Sequence, residues 1–322
     1  MIEAHGLTKT YRTRTGNVEA VKGVDIEVQG GEIVAFLGPN GAGKTTTQRM
    51  LTTLLTPTAG SATVAGHDLR ADPVQVRRRI GYVPQGGSTT PEATVGEELV
   101  DHGRLYGLSK VQSENRGRRL ISEVELDGAW DRQTRTLSGG QRRRLDIALG
   151  LINEPPLLFM DEPTAGLDPQ ARANLWRHIR ALRDERGVTV FLTTHYLDEA
   201  DALCDRILVI DHGEIVARGT PEELKRKVSG DAVSLRLRDP DDLAAARGVL
   251  AAVPHASLSL SDGDVLDFSV PDASVALPDL FAAFERAGVG LAGIEVHRPT
   301  LDDVFLSLTG RALRDDPVPA AA

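Results

Sequence analysis

The sequence has a single cysteine, Cys204, among its 322 residues, so it has no internal disulfide and no C-x-x-C pair for a metal. This scarcity favours a reducing compartment. Apolar runs such as residues 155–160 and 207–210 are short, far below the roughly 18–20 residues that cross a bilayer. Residues 1–16 contain no apolar signal core. We therefore expect neither a secretory signal nor a membrane span.

Positive charge is scarce and unevenly distributed. The chain has 37 lysines and arginines and 46 acidic residues, which gives a formal net charge of −9. Residues 231–322 hold 15 acidic but only 7 basic residues, and no lysine follows Lys227. This shift predicts a domain boundary near residues 229–230. Without a basic stripe the chain is not expected to bind nucleic acid, and the arginine runs at 77–79 and 142–144 are predicted to be solvated helix faces or contacts with lipid or a partner.

Short apolar runs mark the predicted core of the larger domain. Residues 33–37, 157–160 and 188–193 are typical of strands buried on both faces, and helical segments alternate with them. The alternation predicts an α/β fold with a largely parallel sheet. The first thirty residues alternate polar and apolar side chains, which predicts antiparallel strands.

Helix boundaries can be predicted at several positions. Residues 92–125 are expected to be mainly helical, and a further helix is expected over residues 142–152. Asp168 followed by Pro169 predicts a helix start, and Gly187 predicts its end. Beyond the boundary, residues 231–296 predict a β-α-β-β-α-β order, which is a small α+β domain of the ferredoxin-like kind. A last helix is expected from Thr300 to Gly310.

A glycine-rich segment between a buried strand and a helix carries the first chemical signal. Residues 38–45 read GPNGAGKT and match the P-loop pattern G-x-x-x-x-G-K-[ST]. Glycines let successive backbone amides turn toward phosphate oxygens, and the helix N-terminus favours the same anion. Lys44 is expected to neutralise the β- and γ-phosphates, and Thr45 to ligate Mg²⁺. The predicted nucleotide-binding residues of this segment are Gly38, Pro39, Asn40, Gly41, Ala42, Gly43, Lys44, Thr45 and Thr46.

Two acidic residues end the apolar strand at 157–160. Asp161 is expected on the metal side of the phosphates, where a hard cation needs oxygen ligands. Glu162 follows on the opposite face of the strand end, where it can orient and deprotonate an attacking water. Up to this point the residues indicate a Mg²⁺-dependent P-loop nucleotide hydrolase.

The segment LSGGQ at residues 137–141 narrows this reading. With it the sequence resembles the ATP-binding subunits of ABC transporters over about residues 1–225. The resemblance implies further site residues: Gln85 of the Q-loop, which also touches Mg²⁺, His195 as the switch histidine, and Tyr11 stacked on adenine. It also implies five residues that bind nucleotide held by another subunit: Ser138, Gly139, Gly140, Gln141 and Asp168.

The resemblance implies an architecture and a partner. It predicts an ABC ATPase cassette over residues 1–228 with a mixed sheet core, an antiparallel β subdomain and a helical subdomain at about 88–150. It is followed by an accessory α+β domain at 229–312 and a disordered tail at 313–322. One copy of each motif per chain implies head-to-tail pairing, and a twofold homodimer completes both sites.

A narrower resemblance is to bacterial daunorubicin/doxorubicin-resistance-type exporters. Residues 138–149, 193–207 and 299–310 carry it. It implies a separate polytopic permease, a peripheral position on the cytoplasmic face of the membrane, and efflux of a hydrophobic drug or antibiotic. Alternatives remain: a soluble ABC ATPase acting on ribosomes or DNA, or the ATPase of an importer. The C-terminal domain either stabilises the dimer or senses a ligand.

Overall fold

The computed structural model describes residues 1–14, 16–228, 230–253 and 257–310. They form two compact units, Met1–Pro221 and a second that begins at Glu222. The tail predicted at 313–322 lies outside the described residues. Among the described helices, none combines the length and the apolar character that a bilayer crossing requires.

The first unit contains ten strands and seven helices within the described residues. The strands are β1 (Ile2–Thr13), β2 (Gly16–Val28), β3 (Ile33–Leu37), β4 (Ala59–Val64), β5 (His67–Asp68), β6 (Ile80–Val83), β7 (Leu157–Asp161), β8 (Thr189–Thr194), β9 (Arg206–Asp211) and β10 (Glu214–Gly219). The helices are α1 (Lys44–Leu51), α2 (Pro73–Arg79), α3 (Val95–Leu105), α4 (Lys110–Glu123), α5 (Gly139–Gly150), α6 (Pro169–Arg186) and α7 (Leu197–Leu203). Helix α8 (Pro221–Val228) begins where the two units divide.

The central sheet has the order β10-β9-β3-β8-β7-β6. All its neighbouring strands are parallel except the β9–β10 hairpin. Every residue of β3, β7 and β8 is buried, as expected for strands covered on both faces. Parallel neighbours end at the same edge of a sheet, so the segments that follow β3, β7 and β8 are brought together there.

A second, antiparallel sheet borders the P-loop. Its order is β2-β1-β4-β5, which confirms the antiparallel strands predicted for the first thirty residues. Gly43 has a φ of +105°, and a Cβ there would lie 2.6 Å from the carbonyl oxygen of Ala20 on β2. Only glycine fits at this close approach.

The segment between β6 and β7 is helical, as predicted for residues 92–125. The predicted start of the signature helix at residue 142 is wrong, because α5 begins at Gly139. Ser138 is its N-cap and forms a reciprocal capping box with Gln141. The two signature glycines therefore lie in the first helical turn rather than in the loop before it.

The second unit has the predicted β-α-β-β-α-β order. Its elements are β11 (Asp231–Leu237), α9 (Leu243–Ala251), β12 (Ser257–Asp262), β13 (Val265–Val270), α10 (Ala273–Arg286), β14 (Leu291–His297) and α11 (Leu301–Thr309). The sheet order is β12-β13-β11-β14 with antiparallel neighbours, the order of a ferredoxin-like unit. Thr300 caps α11 and Gly310 ends it in the left-handed conformation, which confirms both boundaries.

Candidate functional site

The P-loop joins β3 to α1 and encloses the amino group of Lys44. This side chain is 4% exposed, and its Nζ donates to the carbonyl oxygens of Gly38 at 2.7 Å and Pro39 at 2.9 Å. A Cβ on Gly38 would lie 2.2 Å from the carbonyl oxygen of Ile210, so the loop can start only with glycine. The lysine charge is thus fixed at the centre of the loop.

Helix α1 begins without a side-chain cap. Helices α3, α4 and α5 start with a Ser or Thr side chain that accepts from their own backbone amides. In α1 the N-cap is Gly43, which has no side chain to accept from these amides. An anion at this end would take the place of the missing cap and meet the positive end of the helix dipole. The loop is therefore built to hold a phosphate.

Asp161 at the end of β7 faces the P-loop helix. Its Oδ1 accepts from the hydroxyl of Thr45 at 3.2 Å and from that of Thr193 at 2.6 Å. Hydroxyl and carboxylate oxygens are the hard ligands that Mg²⁺ prefers. The described residues contain no cluster of three or more His, Cys, Asp or Glu side chains for a metal. Thr45 and Asp161 together thus offer two hard oxygen ligands to such an ion.

Glu162 lies at the centre of the converging motifs. Its Oε2 accepts from Nε2 of Gln85 at 2.7 Å, and its Oε1 lies 3.2 Å from Nδ1 of His195 and 3.7 Å from Nζ of Lys44. Burial alone raises the pKa of this carboxyl, but the nearby His195 ring and the Lys44 charge outweigh it, and the pKa lies below its ordinary value. The group is therefore held as a carboxylate among three polar partners.

The signature and the segment before α6 form a separate concave surface. Ser138 Oγ accepts from the amide of Gln141 at 3.2 Å, and Gln141 Oε1 accepts from the amide of Ser138 at 3.1 Å. Asp168 caps α6 by accepting from the amide of Ala171, as predicted. Both segments line a cavity of about 430 Å³, and Gly139 and Gly140 of the signature are part of this lining. Its lining includes no P-loop residue.

The other predicted nucleotide-binding residues lie around the P-loop. Asn40 and Gly41 are exposed at its tip, Ala42 is buried, and Thr46 is half-buried in α1. Tyr11 lies on β1 opposite Val18 of β2, the strand that borders the loop, and 38% of it is exposed. Its ring is therefore accessible to a planar ligand.

Two residues at the site carried no chemical signal in the sequence. Thr193 bridges the strand ends, because its hydroxyl donates to Asp161 and accepts from the amide of Glu162. Arg143 is buried, so the prediction of a solvated or partner-facing arginine run at 142–144 is wrong for this position. Hydrogen bonds from its guanidinium to main-chain carbonyls compensate for the loss of hydration on burial. The exposed arginines at 77–79 confirm the prediction for the other run.

Comparison with known proteins matches both units. The ABC transporter family matches residues 21–165. The C-terminal domain of ATP-binding proteins like DrrA1-3 matches residues 219–309. The daunorubicin/doxorubicin resistance ATP-binding protein DrrA of Streptomyces peucetius is 44% identical over all of this chain and 96% of that protein. The chain belongs to the DrrA-like ATP-binding proteins of the ABC transporter family.

Further relatives extend the comparison. The Nod factor export ATP-binding protein I of Cupriavidus metallidurans is 42% identical over 95% of this chain and 98% of that protein. A dimeric ATP-binding cassette, MJ0796, solved in a post-hydrolysis state with ADP and Pi, is 28% identical with a TM-score of 0.63. The match covers 68% of this chain and 98% of the MJ0796 chain. The family membership makes the chain an ABC-type ATP hydrolase with an α/β cassette.

Proposed function

We propose that this protein is the ATP-hydrolysing subunit of an exporter that moves a hydrophobic drug or antibiotic through a separate polytopic permease. The S. peucetius relative is named for daunorubicin and doxorubicin resistance and matches almost end to end. The C-terminal unit matches the same group of proteins. In this proposal the protein is peripheral, on the cytoplasmic face of the bacterial membrane, where the permease holds it.

The separation of two phosphate sites carries the mechanism. Lys44, Asp161, Glu162 and His195 converge at one edge of the central sheet, whereas the cavity lined by Ser138 contains none of them. We propose that two copies pair head to tail, so that each ATP lies between the P-loop of one copy and the signature of the other. The dimeric cassette among the structural relatives supports this arrangement.

The residues at this edge of the central sheet have distinct roles in hydrolysis. Loop amides and Lys44 bind the phosphates, and Thr45, Asp161 and Gln85 would hold Mg²⁺. When bound, Mg²⁺ neutralises charge on the phosphate oxygens. Glu162 orients the attacking water and accepts its proton. Gln85 and His195 keep that carboxylate in position through the contacts already described.

Nucleotide controls the dimer through contacts that exist only in the closed state. ATP binds the closed dimer more tightly because the signature of the second copy adds hydrogen bonds and a helix dipole, so ATP shifts the equilibrium toward closure. Hydrolysis removes the γ-phosphate contacts and the dimer reopens. Closure and reopening move the attached permease halves between two orientations.

Cysteine crosslinking tests the pairing. Asn40 is the better P-loop site because it is exposed, whereas Gly41 has a φ of +80° that strains any other residue. In a Cys204→Ala background, Asn40→Cys with Ser138→Cys is expected to give covalent dimers under saturating ATP and none without nucleotide. Asn40→Cys alone is the control and should remain monomeric on denaturing gels. Absence of a nucleotide-dependent dimer would rule out the head-to-tail arrangement.

Reconstituted vesicles test the transport step. We expect ATP-dependent movement of daunorubicin when the protein is combined with its polytopic permease subunit, and no movement with Glu162→Gln. A relative with nearly the same identity is named for Nod factor export, so Nod factor is the second cargo to assay. Movement of Nod factor alone, or of neither compound, by a pair that hydrolyses ATP would contradict the proposed drug cargo.

A further inference from the structure

Helix α5 carries a buried cation that reaches the catalytic edge of the sheet. Arg143 is 7% exposed. Its guanidinium donates four hydrogen bonds, all to main-chain carbonyl oxygens: Pro163 at 2.7 Å, Pro84 at 2.6 Å, Asp161 at 3.0 Å and Glu162 at 3.3 Å. Because Pro84 precedes Gln85, the arginine fixes the backbone on both sides of the contact between Gln85 and Glu162.

A carboxylate on the same helix holds the Q-loop at a second point. Asp146 is 3% exposed and its Oδ2 lies 3.7 Å from Nη1 of Arg143. Its Oδ1 accepts from the amide of Ser88 at 3.0 Å and from the Ser88 hydroxyl at 3.2 Å. Pro84 and Ser88 lie on either side of Gln85, so side chains of α5 form hydrogen bonds with the Q-loop both before and after the glutamine.

The backbone of Glu162 requires such support. Its φ is +44°, in the left-handed region that non-glycine residues rarely adopt and that persists only where the surroundings enforce it. The amide of Glu162 donates to the carbonyl and hydroxyl oxygens of Thr193, both at 3.1 Å. Its carbonyl accepts from Arg143 and from the amide of Ala165. Arg143 is the charged donor in this set.

We propose that Arg143 is a positioning residue for ATP hydrolysis, which holds Glu162 and Gln85 in their working geometry and ties that geometry to the signature helix. The proposal rests on the role proposed above for Glu162. Ser138 and Arg143 lie within two turns of one rigid helix. A displacement of the signature by the nucleotide of the partner copy is therefore transmitted directly to the carboxylate of the same chain. Asp146 keeps the guanidinium oriented.

The test compares the rate of hydrolysis with nucleotide affinity in the full chain. Lysine has a compact charge that cannot span four carbonyls, unlike the planar guanidinium fork. We expect Arg143→Lys to lower kcat about 10- to 100-fold, the effect of a small misplacement of a catalytic group. The Kd for a fluorescent ATP analogue should stay within about twofold of wild type. Arg142→Lys, the same change at the exposed neighbour, is the matched control and should keep the wild-type kcat.

A second variant keeps the test decisive if Arg143→Lys does not fold. Asp146→Asn retains the side-chain volume and removes the balancing charge, so we expect kcat to fall about 3- to 10-fold with unchanged Kd. The positioning role is overturned if the folded variant keeps kcat within about twofold. It is also overturned if kcat, nucleotide affinity and Tm all decrease together, because that result indicates a purely structural role.

Glu162→Gln separates this inference from the proposed function. A Glu162→Gln variant with wild-type turnover would refute the assignment of the carboxylate itself. An inactive Glu162→Gln variant together with a fully active Arg143→Lys variant would refute only the positioning role of the arginine.

Discussion

Replacing Glu162 by glutamine is expected to lower kcat for ATP hydrolysis about 100- to 10,000-fold, because a positioned general base contributes about that factor. The change preserves side-chain size, and an amide oxygen can still accept the hydrogen bond that Gln85 donates at 2.7 Å. The site therefore keeps its shape but loses the group that takes the proton from water. ATP affinity should remain near that of wild type. Phosphate release under saturating ATP measures the loss.

The same variant should accumulate in the closed state. If ATP stabilises the head-to-tail dimer and hydrolysis dissolves it, a variant that binds but does not hydrolyse ATP remains paired. We expect size-exclusion chromatography to show a dimer with ATP and a monomer with ADP. Glu185→Gln, at an exposed position on α6, is the control and should hydrolyse ATP at the wild-type rate. Wild-type turnover by Glu162→Gln would place the base elsewhere.

Most strands and helices of the first unit could be predicted from the sequence, because the patterns that mark them lie within a few consecutive residues. The five residues from Ile33 to Leu37 are all apolar and all buried, so the strand that leads into the P-loop could be read without tertiary information. The helix after Asp168 has its cap, its first-position proline and its final glycine within the sequence itself. Likewise, the P-loop, Asp161 and His195 lie at the ends of β3, β7 and β8, strands that their apolar runs had marked in the sequence.

The start of α5 was missed although a signal for it was present. Glycines at 139 and 140 suggested a loop, yet the pattern S-x-x-Q formed by Ser138 and Gln141 is that of a capping box. The reciprocal hydrogen bonds outweigh the low helix propensity of the two glycines. This start places the signature at the first helical turn, where backbone amides favour an anion.

The burial of Arg143 could not have been predicted from the sequence. A run of three arginines is usually solvated, and nothing in it distinguishes the central residue from its neighbours. The carbonyls that satisfy the guanidinium belong to Pro84 and to residues 161–163, which are distant in sequence and meet only in the folded sheet. Tertiary structure alone therefore reveals the connection between the signature helix and the backbone of Glu162.

The second large effect is expected at Lys44. Its amino group is buried, donates to two loop carbonyls and lies 3.7 Å from Glu162, so it is preorganised for the phosphates of ATP. Lys44→Ala removes a hydrogen bond to a charged group, worth about 1.5–3 kcal/mol, which corresponds to a loss of nucleotide affinity of about 10- to 100-fold. Titration with a fluorescent ATP analogue measures this Kd.

An exposed lysine provides the control for the buried Lys44. Lys110→Ala removes a lysine whose side chain is 72% exposed on α4, and its Kd should match that of wild type. Lys44 is also expected to stabilise the charge that develops on the γ-phosphate during transfer, so turnover should fall further than affinity alone predicts. A Lys44→Ala protein that binds ATP within about twofold of wild type would show that the loop amides, rather than the lysine, supply the binding energy.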